Sequence, residues 1–196
     1  MSHRIGKEHR KSAETNVSVT IDLDGGGQTV STGVPFFDHL LNAFGRHGRF
    51  GLEIKAEGDI EVDSHHTIED VGIVLGRAVK AALGDFRGIE RMGSGEVPMD
   101  EALLRAVFDL SGRAYLSWRV TVPGSYAPAI DLTVLEGFWK AFCDGASANL
   151  HLDTLQGRDY HHIVEATFKA CGRALRAATR LDGTKALAST KEMLDL

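Results

Sequence analysis

Two short motifs that join neighbouring histidines to a glutamate carry the strongest chemical signal in the chain. The pattern HHxxE occurs twice, 96 positions apart, as His65, His66, Glu69 and as His161, His162, Glu165. Residues four apart on a helix share a face, so the first histidine and the glutamate of each motif can chelate one metal ion. Adjacent helical residues point about 100° apart, so the second histidine faces another ion. The sequence therefore predicts two metal ions per site.

The chemistry of these donors narrows the choice of metal. Imidazole and carboxylate ligands without thiolate indicate manganese, iron or zinc, and an octahedral set of nitrogen and oxygen donors favours manganese. The partial positive charge of a helix start favours neutral imidazole, which is the form that binds metal. One such pair could simply cap its own helix start or line a polar cleft. Two copies in the same helical register favour metal binding over that alternative.

The other five histidines give weaker signals. His39 lies between apolar neighbours, and metal binding would explain a polar residue there, so we predict that it is a ligand. His151 lies at a strand position, where a ligand and a hydrogen-bonded core histidine both remain open. For His3 and His9 we expect a loose N-terminal segment, and for His47 a helix end.

An internal repeat extends beyond the two motifs. Residues 63–70 match residues 159–166, and apolar or small residues then continue at the same offsets with helical spacing. Asp63 or Ser64 can cap the first of these helices, and Asp159 can cap the second. A shorter apolar helix precedes each one. We predict these helices at residues 36–44 and 134–142, an alignment that places Gly137 opposite His39.

Alternating apolar residues predict strands around these helices. One strand covers residues 17–23 before a glycine-rich turn, and we expect a hairpin of residues 106–110 and 115–120, turned at Ser111 and Gly112. Further strands at residues 52–54 and 149–152 separate the two helices of each half.

These elements predict an α+β fold of two tandem β-β-α-β-β-α repeats. We expect a two-layer sandwich with the helices packed between the sheets, formed by a first half of residues 1–90 and a second half of residues 91–196. Neither half is long enough for a generous core alone, so the two should share one compact body.

Composition excludes several classes of protein. The 196 residues are 43% hydrophobic and 25% charged, with a formal net charge of −5 and no block of basic residues, which argues against nucleic acid as a partner. No apolar run approaches the roughly 18 residues of a membrane span, and we expect no signal peptide. Cys143 and Cys171 lie in apolar helical patterns, which predicts reduced core thiols in a cytoplasmic protein.

The ordered motifs resemble the imidazoleglycerol-phosphate dehydratase family over nearly the whole chain. The family forms imidazole acetol phosphate from imidazole glycerol phosphate in histidine biosynthesis. The matching segments are Glu14–Val17, Pro35–Leu41, Arg46–Gly48, His65–Asp70, Pro98–Ala102, Asp109–Arg113, His161–Lys169 and Ser189–Lys191.

The resemblance implies a site of two manganese ions that stabilises the imidazolate form of the substrate. It implies metal ligands at His39, His65, His66, Glu69, His161, His162 and Glu165, and proton transfer by Glu14. It also implies that the substrate phosphate is held by Arg91, Arg113, Lys169, Ser189 and Lys191. A homo-oligomeric shell of 24 subunits, with active sites at subunit interfaces, is implied as well.

Three positions depart from the family pattern. Gly137 stands where we expect a histidine ligand, which leaves open whether His151 replaces it, and Ala43 stands where a glutamine is expected to contact substrate. Glu192 follows the Ser-Thr-Lys segment in place of glycine. From the residues alone, two other functions remain open: a two-metal hydrolase, and a shell protein in which metal links the subunits.

Overall fold

The computed structural model describes residues 3–124, 128–190 and 194. In these ranges the chain forms eight strands and four helices. In chain order they are β1 (Ile5–Lys11), β2 (Thr15–Asp22), β3 (Gln28–Ser31), α1 (Pro35–Gly48), β4 (Gly51–Gly58), α2 (His65–Leu83), β5 (Met92–Met99), β6 (Ala102–Asp109), β7 (Tyr115–Arg119), α3 (Leu132–Ala146), β8 (Asn149–Gln156) and α4 (Tyr160–Ala178).

The predicted α+β class is confirmed. One sheet has the strand order β1-β2-β4-β3 and the other has the order β5-β6-β8-β7, so the repeat produces the same sheet twice. Helices α1 and α2 pack on the first sheet, α3 and α4 pack on the second, and across the middle α2 meets α3 and α1 meets α4. The helices therefore lie between the sheets, where both apolar layers are buried.

The order of elements within each half differs from the prediction. Each half runs β-β-β-α-β-α, so the third strand precedes the first helix instead of following it. Strands β3 and β4 pair in parallel, as do β7 and β8. Parallel neighbours need a long crossover connection, and helices α1 and α3 supply it.

The hairpin predicted from residues 106–110 and 115–120 is wrong. Strands β6 and β7 are not neighbours, because β8 lies between them and pairs with both. The turn at Ser111 and Gly112 is real, but the chain leaves it to start the β7-α3-β8 crossover. The hairpins are β1 with β2 and β5 with β6.

The prediction of a loose N-terminal segment is also wrong. Strand β1 pairs with β2 in antiparallel register along its whole length. The ring of His9 bonds to Asn16 Oδ1 at 2.8 Å, and the ring of His3 contacts the carboxylate of Asp22. Apolar alternation is weak in β1 because it is an edge strand with one face in solvent, so the hydrophobic pattern could not reveal it.

An aspartate accepts a backbone hydrogen bond at the start of each motif helix, as predicted, although Ser64, the N-cap residue of α2, makes no side-chain cap. Asp159 Oδ1 accepts a hydrogen bond from His162 N at 3.0 Å, and Asp63 Oδ1 accepts one from His65 N at 2.7 Å. These bonds satisfy backbone donors that the first helical turn leaves free. Each histidine pair therefore starts its helix at a fixed position.

Both cysteines lie in the core as free thiols, as predicted. Burial raises the pKa of the Cys143 thiol to about 12, and it raises the pKa of Cys171 as well. Within the described ranges, no helix has the length and apolar character that a membrane crossing requires.

Close contacts between helix backbones set the distance across the middle of the molecule. A Cβ atom on Gly172 of α4 would lie 2.4 Å from the carbonyl oxygen of Phe44 in α1. The α2–α3 contact is similar, because a Cβ on Gly72 would lie 2.5 Å from the carbonyl oxygen of Phe138. Real Cβ atoms do not approach this closely, so glycine is required at both crossings.

We expect the substitution Gly172→Ala to lower the free energy of unfolding by about 1–3 kcal/mol, because the added methyl group forces α1 and α4 apart. Chemical denaturation of the metal-free protein measures this. The matched control is Gly137→Ala in α3, where a Cβ would meet nothing within 4 Å and should leave stability equal or higher. Equal stability of the two variants would contradict the proposed contact.

Candidate metal centre and active site

Three predicted ligands converge where α1 crosses α4. His39 Nε2 donates to Glu165 Oε2 at 2.9 Å, and His161 Nε2 donates to the same oxygen at 3.0 Å. One ligand atom from each of these residues lies within 4.8 Å of the others. Within the part of the chain that the structure describes, no other group of three such side chains meets this criterion.

The surroundings of Glu165 keep its carboxylate ionised in this three-donor centre. Only 9% of its side chain is exposed, and Lys169 Nζ lies 2.7 Å from its second oxygen. Burial by itself raises the pKa of Glu165, but the hydrogen bonds from His39 and Lys169 outweigh it and lower the pKa to about 2. The carboxylate is therefore ionised at neutral pH and available to a cation.

A cleft of about 430 Å³ opens beside the three donors. Its walls include His39, Glu165, Lys169 and two residues of α1, Arg46 and His47. Burial lowers the pKa of His47, and the charges of Lys169 and Arg173 lower it further. Candidate metal donors and cationic side chains line the same cleft, which makes it suitable for a ligand that carries an anionic group.

The donor set fits a divalent metal ion. Two imidazole nitrogens already point at a single ionised carboxylate oxygen, and a cation between them would satisfy all three. Neither cysteine is available, because both are buried in the core. The chemistry at hand is therefore nitrogen and oxygen ligation, consistent with manganese.

The first-half motif forms a second, smaller group of donors. His65 Nε2 lies 3.8 Å from Glu69 Oε2, and both side chains are about half exposed. Glu69 lines a groove of about 440 Å³ between α2 and α3, which is the repeat counterpart of the cleft. Gly137 occupies on α3 the position that His39 holds on α1, so the described residues supply no third donor there.

The second histidine of each pair contacts a carboxylate outside the HHxxE motif. The two rings stand nearly perpendicular, at 81° for His65 and His66 and at 88° for His161 and His162. His66 Nδ1 lies 3.1 Å from Asp59 Oδ2, and His162 Nδ1 lies 2.8 Å from Glu101 Oε2.

At His66 and His162, neighbouring carboxylates oppose the neutral form that the helix start is expected to favour. The hydrogen bond to Asp59, with the charge of Glu14, raises the pKa of His66. The hydrogen bond to Glu101 raises the pKa of His162. A carboxylate in direct contact outweighs the partial charge of a helix terminus.

Glu14 lies at the tip of the β1-β2 hairpin, apart from the three-donor centre. One of its oxygens is 3.8 Å from His66 Nδ1, and 57% of its side chain is exposed. Its neighbour Thr15 donates to the buried carboxylate of Asp70, which also pairs with Arg10. This contact fixes the hairpin tip against the start of α2, while the side chain of Glu14 stays exposed.

The predicted phosphate-binding residues do not all lie together. The side chain of Arg91 donates hydrogen bonds to Asp109 and to the carbonyl oxygen of Ala188, which places Arg91 beside Ser189. The carbonyl oxygen of Arg91 accepts a hydrogen bond from the backbone N–H of Leu110, next to the turn that carries Arg113. Lys169 instead contacts Glu165 and Met99 in the cleft. Lys191 lies outside the described residues.

His151 lies on the outer face of the second sheet. Its neighbours Leu150 and Leu152 are buried toward the helices, and its ring contacts Tyr115 with 5.6 Å between centroids. Alternation along a strand sends it away from the metal donors of its own chain. Within its own chain, His151 therefore does not replace the histidine ligand that is missing at Gly137.

Comparisons with known proteins agree on one family. The sequence model described as imidazoleglycerol-phosphate dehydratase matches residues 32–175. Enzymes with that name from Pelobacter propionicus and Acidithiobacillus ferrooxidans are 48% and 47% identical, over 97% and 100% of this chain and 99% and 100% of theirs. The chain belongs to the imidazoleglycerol-phosphate dehydratase family.

Solved structures of this family have the same fold. The dehydratase from Staphylococcus aureus is 34% identical, with a TM-score of 0.80 over 90% of this chain and 99% of that one. IGPD from Pyrococcus furiosus, in complex with (S)-C348, is 33% identical, with a TM-score of 0.85 over 95% of this chain and 99% of that one.

Membership of the imidazoleglycerol-phosphate dehydratase family makes the chain a hydro-lyase. It therefore removes the two alternatives that the residues alone left open, a hydrolase and a shell protein without activity. Ala43 lines the cleft, so the departure from glutamine lies inside the candidate active site of this dehydratase.

Two carboxylates of the candidate site, Asp59 and Glu101, were not predicted from the sequence. Both contact the second histidine of a pair, and neither lies in the HHxxE pattern. For Glu101 a signal existed: it precedes β6 as Glu14 precedes β2, 87 positions earlier in the repeat. No comparable repeat identifies Asp59, which only the loop before α2 brings to His66.

Proposed function

We propose that this chain converts imidazole glycerol phosphate to imidazole acetol phosphate with two Mn²⁺ ions per active site. The observation that carries the proposal is the convergence of His39, His161 and Glu165 beside a cleft lined by Arg46 and Lys169. The substrate has an imidazole ring at one end and a phosphate at the other. Ring nitrogens suit metal ions and phosphate suits cationic side chains, and the cleft offers both kinds of group.

The proposed active site is shared between subunits of a 24-subunit shell. In one chain His65 and Glu69 supply only two donors, and His66 and His162 point elsewhere. An octahedral ion needs more ligands than any of these groups offers. A neighbouring copy that brings its second histidines to these donors would complete both sets, and His151 on the outer sheet face is a further donor for such a contact.

The proposed phosphate grip also draws on more than one subunit. Arg91, Arg113 and Ser189 lie near one another at the far end of the second sheet, whereas Lys169 lies in the cleft. A phosphate held by both sets, with Lys191, must bridge two copies. Guanidinium groups bind phosphate oxygens in pairs, which fixes the orientation of the substrate.

The reaction removes the hydroxyl group from the carbon attached to the ring and a proton from the next carbon, so water leaves and an enol remains. The enol then takes up a proton on the ring-attached carbon and becomes the ketone of the product. Bound Mn²⁺ would supply Lewis acidity that favours the imidazolate form of the ring and so promotes loss of the hydroxyl. Glu14 is the proposed base for the C–H proton, and its exposed carboxylate suits this role.

The direct test is turnover with and without metal. The Mn²⁺-loaded protein, incubated with imidazole glycerol phosphate, should form the acetol product. Chelation should abolish that turnover, and added Mn²⁺ should restore it. Undiminished turnover after complete removal of metal would overturn the proposal, as would release of inorganic phosphate without formation of a ketone.

A cytoplasmic location is the final part of the proposal. Both cysteines are buried as thiols, and a small phosphate metabolite is the proposed substrate. Reduced thiols are the normal state in that compartment.

A further inference from the structure

The repeat places two equivalent carboxylates next to the histidine pairs. Glu14 precedes β2 and Glu101 precedes β6, each at the tip of a hairpin. Each approaches the second histidine of its own half, with Glu14 Oε2 3.8 Å from His66 Nδ1 and Glu101 Oε2 2.8 Å from His162 Nδ1. The two glutamates thus share one origin in the repeat.

Their surroundings nevertheless differ. Glu101 Oε1 accepts hydrogen bonds from the backbone N–H groups of Asp159 at 2.8 Å and Arg158 at 3.1 Å, and only 28% of the side chain is exposed. Glu14 has twice that exposure and no such bonds among the described residues. Glu101 is therefore fixed in place, and a fixed carboxylate with both oxygens occupied is poorly suited to proton transfer.

The contact with Glu101 determines which nitrogen of His162 carries the proton. An ionised carboxylate only accepts hydrogen bonds, so Nδ1 must be the protonated nitrogen of the neutral ring. The lone pair then lies on Nε2, which faces away from Glu101; the exposed carboxylate of Asp100 lies 3.6 Å from it, beyond hydrogen-bond distance. Carboxylates that accept from the outer nitrogen of a metal-bound histidine fix its tautomer and its orientation in many metalloproteins.

We propose that Glu101 is a positioning residue that holds His162 with Nδ1 protonated, so that Nε2 is presented to the metal. This inference rests on the proposed function, in which His162 is a metal ligand. In the first half, Asp59 does the same for His66 at 3.1 Å. The repeat therefore uses Glu101 in one half and Asp59 in the other, which leaves Glu14 free for proton transfer.

The substitution Glu101→Gln tests this role with little change of shape. The oxygen of the glutamine side chain can keep the two backbone hydrogen bonds. The side-chain NH₂ group of the glutamine then replaces the oxygen that faces His162 Nδ1. An amide donor requires an acceptor there, so the neutral ring must move its proton to Nε2. That nitrogen then cannot bind a metal. A purely structural role of Glu101 would survive this exchange, because the backbone bonds remain.

The measurement is the tautomer of His162 in metal-free protein, at a pH high enough for its own ¹⁵N signals to show a neutral ring. Solid-state ¹⁵N NMR of histidine-labelled protein reports it, with the His162 signal identified by its loss in His162→Asn. We expect protonation at Nδ1 in the wild type and at Nε2 in Glu101→Gln. Affinity for Mn²⁺, measured by titration, should fall by about 10- to 100-fold.

Two further variants complete the test. Glu96→Gln, on the same hairpin but paired with Arg105, should change neither readout. Glu101→Asp keeps the acceptor and should keep the Nδ1 tautomer, so it decides the question if Glu101→Gln fails to fold. An unchanged tautomer and unchanged Mn²⁺ affinity in Glu101→Gln, or loss of the Nδ1 tautomer in a folded Glu101→Asp, would overturn the inference. A wild-type protein that binds no Mn²⁺ would instead contradict the proposed function, and the tautomers would still decide the role of Glu101.

Discussion

Replacing Glu14 by glutamine should lower turnover by about 10²- to 10⁴-fold, which is the range of one general acid–base group. The size of the assembly and the amount of bound Mn²⁺ should not change. Glu14 lies outside the three-donor centre, and among the described residues its ion-pair contact is the 3.8 Å approach to His66, while Thr15 and Asp70 fix the hairpin tip. Steady-state kinetics, metal analysis and light scattering on the same sample measure the three quantities.

A neighbouring glutamate provides the control. Glu57 on β4 lines the same surface pocket as Glu14 and is exposed, with Lys55 as its ion-pair partner. Glu57→Gln removes the same charge from the same region, so its turnover should stay close to wild type. Equal losses in the two variants would mean that local charge, not proton transfer, is responsible, and full activity of Glu14→Gln would remove Glu14 from the mechanism.

Replacing Glu165 by glutamine should strongly weaken metal binding at the three-donor centre. Glu165 is the common partner of His39, His161 and Lys169, and it is the only anion among them. Its loss should reduce Mn²⁺ affinity by more than the about 10- to 100-fold cost of removing an outer-shell partner. Turnover should fall with it. Titration with Mn²⁺ and kinetics at saturating metal separate the two effects.

The pH dependence of stability gives a second readout for Glu165. In the metal-free protein its pKa is lowered from 4.5 to about 2, so the folded state favours the ionised form. The resulting stability is fully present above pH 4.5 and is lost as the pH falls toward 2. The difference in unfolding free energy between wild type and Glu165→Gln should therefore shrink over that interval.

The control for Glu165 is Glu136→Gln, an exposed glutamate on α3 outside the cleft. Glu136→Gln should match wild type in Mn²⁺ affinity and in the pH dependence of the unfolding free energy. If Glu165→Gln bound Mn²⁺ as tightly as this control, the three-donor centre would not be a metal site.

Much of the site could be predicted from sequence because its signals are local. The spacing in HHxxE is a property of one helical turn, so the pairing of His65 with Glu69 and of His161 with Glu165 follows from helix geometry alone. The fold class followed from apolar periodicity and from the repeat. The motifs of the family added Glu14, which no spacing could have selected.

Other features depended on contacts between distant segments. His39 meets His161 and Glu165 because α1 and α4 cross closely at Gly172, a contact that joins residues more than 120 positions apart. The order of strands in the second sheet also depends on contacts between distant segments, because the turn at Ser111 is equally compatible with a hairpin and with a crossover.

The sequence by itself determined the kinds of donor in this protein and their spacing along each helix, because one helical turn has a fixed geometry. Only the tertiary structure decided which donors meet, and that Glu101 and Glu14 occupy different surroundings despite equivalent positions in the repeat. Those outcomes arise from the packing of whole helices and loops, whose free energy is spread over many weak contacts and is not encoded in any short motif.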